Sequence, residues 1–208
     1  MTELYLVRHG ETDWNAARRI QGRTDIPLNE AGRAQAREAA EMLARQEWDA
    51  VYASPLDRAQ ETARIIAARL GLGDVTIVDE LIERDYGQAE GMDFDELEAR
   101  YPEGVHAPGQ ETRAEVAERV VPALLRIAER HPGERLVLVS HGGAIRAALQ
   151  TAEPETRHPR ITNVSIHSFR VESGALRLIA FDDPLEEESL LPGSGDLDTQ
   201  NAVEASTE

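Results

Sequence analysis

The apolar positions of the chain alternate between two periods. Residues 4–7 (LYLV) form a short apolar run suited to a strand buried on both faces, and residues 135–140 read the same way. Residues 49–53 and 75–78 are two shorter strand runs. Between these runs the spacing becomes helical. Asn29 can cap a helix through Gln46 that gathers Ala36, Ala39, Ala40 and Leu43. Ser54 and Pro55 supply an N-cap and a first-turn proline for the next helix, where Leu56, Ala59, Ala63, Ile66 and Leu70 recur before Gly71 ends it. Residues 93–101 predict a short helix. Thr112 and Glu115 make a capping-box pattern that opens a long one to about Arg130. Pro122 lies inside it, so a kink or two abutting helices are expected. A further helix runs through Leu149, and residues 161–171 and 175–181 alternate as two strands joined at Ser173-Gly174 in a hairpin. Strands alternating with helices predict a three-layer α/β/α sandwich with a mostly parallel central sheet.

The connections are uneven. Residues 13–27 form a long, turn-rich polar loop, residues 80–92 a second, and residues 102–110 a coil with two prolines and two glycines. Long loops without structure of their own are more often functional than idle. From residue 182 the character changes: residues 182–208 hold nine acidic side chains and no basic ones, which predicts a disordered tail behind a domain of residues 1–181.

Composition narrows the classes. With 208 residues, 41% of them hydrophobic, a single domain with a real core is expected. A net charge of −17 argues against nucleic acid or an anionic membrane as partner. No apolar run reaches membrane-spanning length, and Met1-Thr2-Glu3 leads into a strand without a signal segment, so a cytoplasmic location is expected. The absence of cysteine excludes disulfides, thiolate metal sites and cysteine nucleophiles. All 22 basic residues are arginines, a bias read as codon usage or surface-charge adaptation because most lie scattered along helices.

Chemistry collects at strand ends. The first strand stops at Arg8-His9-Gly10, where Gly10 permits a turn that a Cβ resists. Open α/β sheets place ligands at such carboxyl ends. Arg58 falls in the first turn of the helix after the second strand, Glu83 follows the third strand, and His141 ends the fourth against a helix N-terminus at Gly142. Two arginines offer donor forks matched to phosphate or carboxylate oxygens, and a histidine can serve as nucleophile, acid or base. Ser140 beside His141 is not a dyad, since adjacent strand residues face opposite ways. His106, His131, His158 and His167 lack ligand spacing and read as ordinary polar residues; no metal site is expected.

Arg8-His9-Gly10-Glu11-Thr12 with Trp14-Asn15 resembles the signature of the histidine phosphatase superfamily, the phosphoglycerate-mutase-like fold, and the resemblance extends to roughly Phe181. It implies phosphoryl transfer without a metal or other cofactor: His9 as nucleophile, Arg8, Arg58, Asn15, His141 and Gly142 around the phosphate, and Glu83 as proton donor. The stretch from Leu81 to Gly87 resembles the family's acid loop. Mutases of the family typically read ERHYG and carry a longer insertion afterwards. The Glu83-Arg84-Asp85-Tyr86-Gly87 form and the short path to Thr112 look like the compact phosphatase branch, although Ala89 stands where tryptophan is common. The resemblance thus implies a phosphomonoesterase acting on a small phosphate ester, with phosphoglycerate mutase as the alternative. Trp14, Gln21, Arg23 and Thr24 are candidates for the substrate mouth, and a homodimer is an open option.

Overall fold

The computed structural model describes residues 1–102 and 104–183. The chain runs β1 (Thr2–Arg8), α1 (Asp13–Ala16), α2 (Glu30–Leu43), β2 (Ala50–Ala53), α3 (Asp57–Leu70), β3 (Thr76–Ile77), α4 (Phe94–Arg100), α5 (Arg113–Arg130), β4 (Arg135–Ser140), α6 (Gly142–Ala152), β5 (Ile166–Glu172) and β6 (Ala175–Ala180). One sheet of order β3-β2-β4-β1-β5-β6 collects the six strands. The first four are parallel, and β5 and β6 run antiparallel to complete the sheet.

Successive side chains of a strand point to opposite faces, and the two cores follow that alternation. Leu4, Leu6, Leu136 and Leu138 pack with Val120, Leu124, Ile145 and Leu149 of α5 and α6. Tyr5, Val7, Val137 and Val139 pack with Ala40, Leu43, Ala63 and Ile66 of α2 and α3. The sandwich is therefore three-layered, as the alternating pattern predicts, and each helix pair buries the apolar stripe read from its spacing. A third, smaller cluster of Ile20, Tyr86, Ala89 and Ala107, with Met92, Leu97 and Tyr101 against it, packs the loops into a cap.

Several boundaries differ from expectation. Helix α2 ends at Leu43 rather than Gln46. Strand β3 keeps two exposed residues of the expected four, because it lies at the sheet edge with β2 as its one neighbour. Residues 79–81 and 87–89 of the second loop form single 3-10 turns. Helix α5 continues unbroken through Pro122, so two abutting helices are ruled out. The hairpin between β5 and β6 is as expected: Ser173 and Gly174 adopt φ of 51° and 75°, the pair of positive values a two-residue turn of the I′ kind demands. Strand β5 starts at Ile166, five residues late, and residues 161–165 become a loop. The first two residues assigned to the tail belong to the body: Asp183 N–H donates to Ile166 O at 2.7 Å, and Asp182 N–H to His167 Nδ1 at 3.1 Å. The rest of that segment lies outside the described residues. Among the described residues, no helix is long and apolar enough to cross a membrane.

Candidate active site

Register brings the two histidines together. Arg8 of β1 pairs with Ser140 of β4, so the residues that follow, His9 and His141, leave neighbouring strands at the same level. Their rings lie 5.0 Å apart between centroids and both are buried. His9 Nδ1 lies 2.7 Å from Gly10 O. A carbonyl can only accept, so Nδ1 carries the proton and Nε2 holds the lone pair. Burial, with the Arg58 and Arg8 guanidiniums nearby, pushes His9 well below the ordinary histidine range; burial and Arg58 do the same to His141. Both rings are neutral at pH 7.

Residues from β2 complete the pair. Ala53 is in register with Val139, which carries Ser54 alongside His141, and Ser54 Oγ sits 2.7 Å from His141 Nε2. Leu56 N–H points at the same oxygen from 3.4 Å. His141 Nδ1 is buried and has no protein partner. Ser54 is accordingly not the N-cap of α3. That position is Leu56, which has no side-chain bond, and the Asp25 carboxylate instead accepts from Asp57 N–H at 2.9 and 3.1 Å.

The arginines are held by carbonyls. Arg8 Nη1 donates to Ile161 O at 2.7 Å. Arg58 donates from Nη1 to Thr24 O at 2.9 Å and from Nη2 to Gly22 O at 2.6 Å, and its buried Nε has no protein partner. Burial lowers the Arg58 pKa to about 10, partly opposed by Glu83 and Asp25, so the charge persists at neutral pH. Gly10 and Gly32 meet backbone to backbone: a Cβ on Gly10 would lie 2.4 Å from Gly32 O. Close approach, rather than a left-handed turn, is why glycine is needed there. Thr62 of α3 accepts from Gly10 N–H at 3.1 Å. Thr12 caps α1 in a capping box with Asn15, whose Oδ1 accepts from Thr12 N–H and Oγ1–H, both at 3.2 Å. Asn15 Nδ2 is buried with no protein partner.

Glu83 reaches the same place from the other side. Its carboxylate accepts from Arg84 N–H at 2.7 Å and from Gly143 N–H at 3.0 Å, at the amino end of α6. Arg119 of α5 fixes the loop that carries it, donating to the carbonyls of Glu80, Ile82 and Glu83 at 2.7, 2.6 and 3.0 Å. Glu111 braces that guanidinium from Oε1 at 2.7 Å and Oε2 at 2.9 Å. Glu80 pairs instead with Arg126 near the surface. Glu90 accepts from the N–H groups of Arg23, Thr24 and Tyr86 at 2.8, 2.9 and 3.2 Å, and a Cβ on Gly22 would overlap its carboxylate at 2.0 Å.

The structure therefore gathers Arg8, His9, Asn15, Arg58, Glu83, His141 and Gly142 at one end of the parallel strands. Of the four mouth candidates, Trp14 lies on α1 and the other three are built into the loop that follows it. Arg23 crosses to Asp85 and Glu111 at 3.4 and 3.3 Å, Thr24 Oγ1 donates to Glu90 at 2.5 Å, Gln21 is fully buried, and half-buried Trp14 packs beside Gly91. Ser54, Thr62, Glu90, Glu111, Arg119 and Asn163 went unseen in the sequence as site-building residues. Arg119 looks there like one more helical arginine, and only the capping-box glutamate pattern nearby hinted at order. Ser140 indeed makes no dyad: its hydroxyl donates to Leu81 O at 2.8 Å.

Comparison with known proteins shows the family. The family model described as histidine phosphatase superfamily (branch 1) matches residues 4–184. The chain is 42% identical over 169 residues to the uncharacterized phosphatase PhoE of Bacillus subtilis, covering 80% of this chain and 86% of that one. It is equally 42% identical over 185 residues to phosphoglycerate mutase-like protein 4 of Arabidopsis thaliana, covering 83% and 80%. Among solved structures, the mycobacterial glucosyl-3-phosphoglycerate phosphatase in complex with VO3 superposes with a TM-score of 0.79 at 30% identity, covering 86% of this chain and 98% of that one. With a family match across residues 4–184 and relatives named as phosphatases, the chain is an enzyme of the histidine phosphatase superfamily, branch 1, and a phosphatase.

Proposed function

We propose that the enzyme is a metal-independent phosphomonoesterase that hydrolyses a small phosphorylated metabolite through a phosphohistidine on His9. The observation that carries this reading is the His9 ring, held at Nδ1 by Gly10 O so that Nε2 keeps its lone pair, 5.0 Å from the His141 ring and beside two buried arginines. In the first step Nε2 forms a bond to phosphorus as the bond to the ester oxygen breaks, and Glu83 gives that oxygen its proton. The charge that develops on His9 is met by Gly10 O. In the second step the Glu83 carboxylate takes a proton from water, whose oxygen attacks phosphorus and frees His9 as the neutral imidazole. Phosphate oxygens are held by donors fixed before substrate arrives: Arg8, Arg58 Nε, Asn15 Nδ2, His141 Nδ1 and the Gly142 N–H at the start of α6. Two guanidiniums do here what a divalent cation does elsewhere, spreading positive charge over the equatorial oxygens.

A second reading, phosphoglycerate mutase, is favoured by the names of several relatives, at 32–42% identity. A mutase must exclude water until the phosphoryl group reaches its acceptor. Among the described residues, 91–112 provide α4 and a coil, and that coil is tied down by the Tyr86–Gln110 bridge and the buried Ala107. Little chain remains for a closing lid, which supports hydrolysis. Incubation with 3-phosphoglycerate and catalytic 2,3-bisphosphoglycerate, following phosphate release and isomer formation together, separates the two. Phosphate release outrunning isomerisation is expected; much faster isomerisation makes this a mutase.

A further inference from the structure

Residues 161–165, between α6 and β5, fold over the end of β1 instead of extending β5. Arg8 N–H donates to Ser165 O at 3.1 Å and Val164 N–H to Arg8 O at 3.0 Å, while Ile161 O takes the Arg8 side chain. Asn163 Nδ2 donates to His9 O at 2.9 Å and to Asn15 Oδ1 at 3.4 Å. Val164 sits at φ 55°, a left-handed conformation that a β-branched residue adopts only when its surroundings dictate it, and such strain gathers at functional sites. The loop is anchored from behind: His167 Nδ1 accepts from Asp182 N–H, so its Nε2–H is left to donate to Ser165 Oγ at 2.9 Å, and that hydroxyl donates to Thr162 O at 2.7 Å.

We propose that Asn163 is a positioning residue that fixes the Asn15 amide for phosphate. Three donors converge on Asn15 Oδ1: Thr12 N–H, Thr12 Oγ1–H and Asn163 Nδ2–H. With its oxygen so engaged, the amide can only turn Nδ2 away from them, and Nδ2 is the atom left without a protein partner. The same Asn163 nitrogen holds the carbonyl of His9, so one side chain ties the nucleophile's backbone to the phosphate donor. The inference rests on the reading that Asn15 Nδ2 holds a phosphate oxygen.

A double-mutant cycle tests it, with kcat/KM on a small phosphate ester, the inhibition constant of orthophosphate and melting temperature measured for each variant. Asn163→Ala in the native background is expected to lower kcat/KM roughly 10- to 100-fold, as loss of an orienting partner does, and to weaken orthophosphate. In the Asn15→Ala background the same change should add little, because the amide it orients is gone. Asn163→Asp keeps the size but lacks the N–H, and should lose at least as much as alanine. Losses that multiply in the double variant, or an Asn163→Asp enzyme of native activity, overturn the inference and leave the proposed reaction standing. Unchanged kcat/KM in Asn15→Ala overturns the inference together with the phosphate-binding role of Asn15.

Discussion

Arg58 shows why a residue type matters more than a charge at this site. Two of its guanidinium nitrogens hold the carbonyls of Gly22 and Thr24 while Nε–H is left for a ligand, three directions that one planar group serves together. A lysine keeps the charge and loses the fork. Arg58→Lys is therefore expected to lower kcat/KM by about 2–4 kcal/mol in transition-state stabilisation, the scale of a deleted oxyanion donor. Near-native kcat/KM in that variant contradicts the role assigned to the fork. At this scale the site was legible from residue type and place: Arg8, His9, Arg58, Glu83 and His141 each stand at or just after a strand end, and the family motif adds Asn15. What stayed hidden depends on partners remote in sequence. Nothing around Ser54 tells that its hydroxyl serves His141 from 87 positions away rather than capping the helix it precedes.

Among the elements, α5 does most to set the acid loop. Its Arg119 grips three consecutive-turn carbonyls, those of Glu80, Ile82 and Glu83, and is itself braced by Glu111. If that grip places Glu83, its loss should be felt where proton delivery limits the rate. Arg119→Ala is expected to slow hydrolysis of alkyl phosphates far more than of p-nitrophenyl phosphate, whose leaving group needs no proton. Equal losses on both substrates would mean that Arg119 supports the fold without aligning Glu83. Helices and strands with a strong period were readable from the chain, down to the capping box at Thr112 and the hairpin at Ser173-Gly174. The misread segment is 161–165. Its apolar residues continue the alternation of β5, yet the loop turns at Val164 because the backbone of Arg8 bonds both sides of that residue. A local pattern does not register a partner so distant in the chain.

Stability of the whole molecule is tied to pH through its buried histidines. Burial holds His9 and His141 well below the ordinary value of 6.5 and brings His167 to about 3. In each case the unfolded chain binds the proton first, so stability is full above about pH 6.5 and falls as pH drops below it, for His167 across the window down to about 3. Each such histidine adds at most about 1.4 kcal/mol per pH unit to that slope. Chemical denaturation between pH 6 and 4 is expected to show a shallower acid limb in His167→Gln than in the native enzyme, by nearly one proton. An unchanged slope means His167 is not held neutral. The proposed phosphate site of a chain with a net charge of −17 draws its positive potential locally, from Arg8 and Arg58 beside the neutral rings of His9 and His141, and the bulk composition gave no sign of it.

The central claim is that His9 carries the phosphoryl group. Rapid mixing with a 32P-labelled phosphate ester, a denaturing quench in base and mapping of the label test it directly. The account predicts acid-labile, base-stable phosphate on His9 Nε2, discharged by water on the timescale of turnover, with neither label nor turnover in His9→Ala. Label on His141 with His9 bare, or full turnover in His9→Ala, contradicts it.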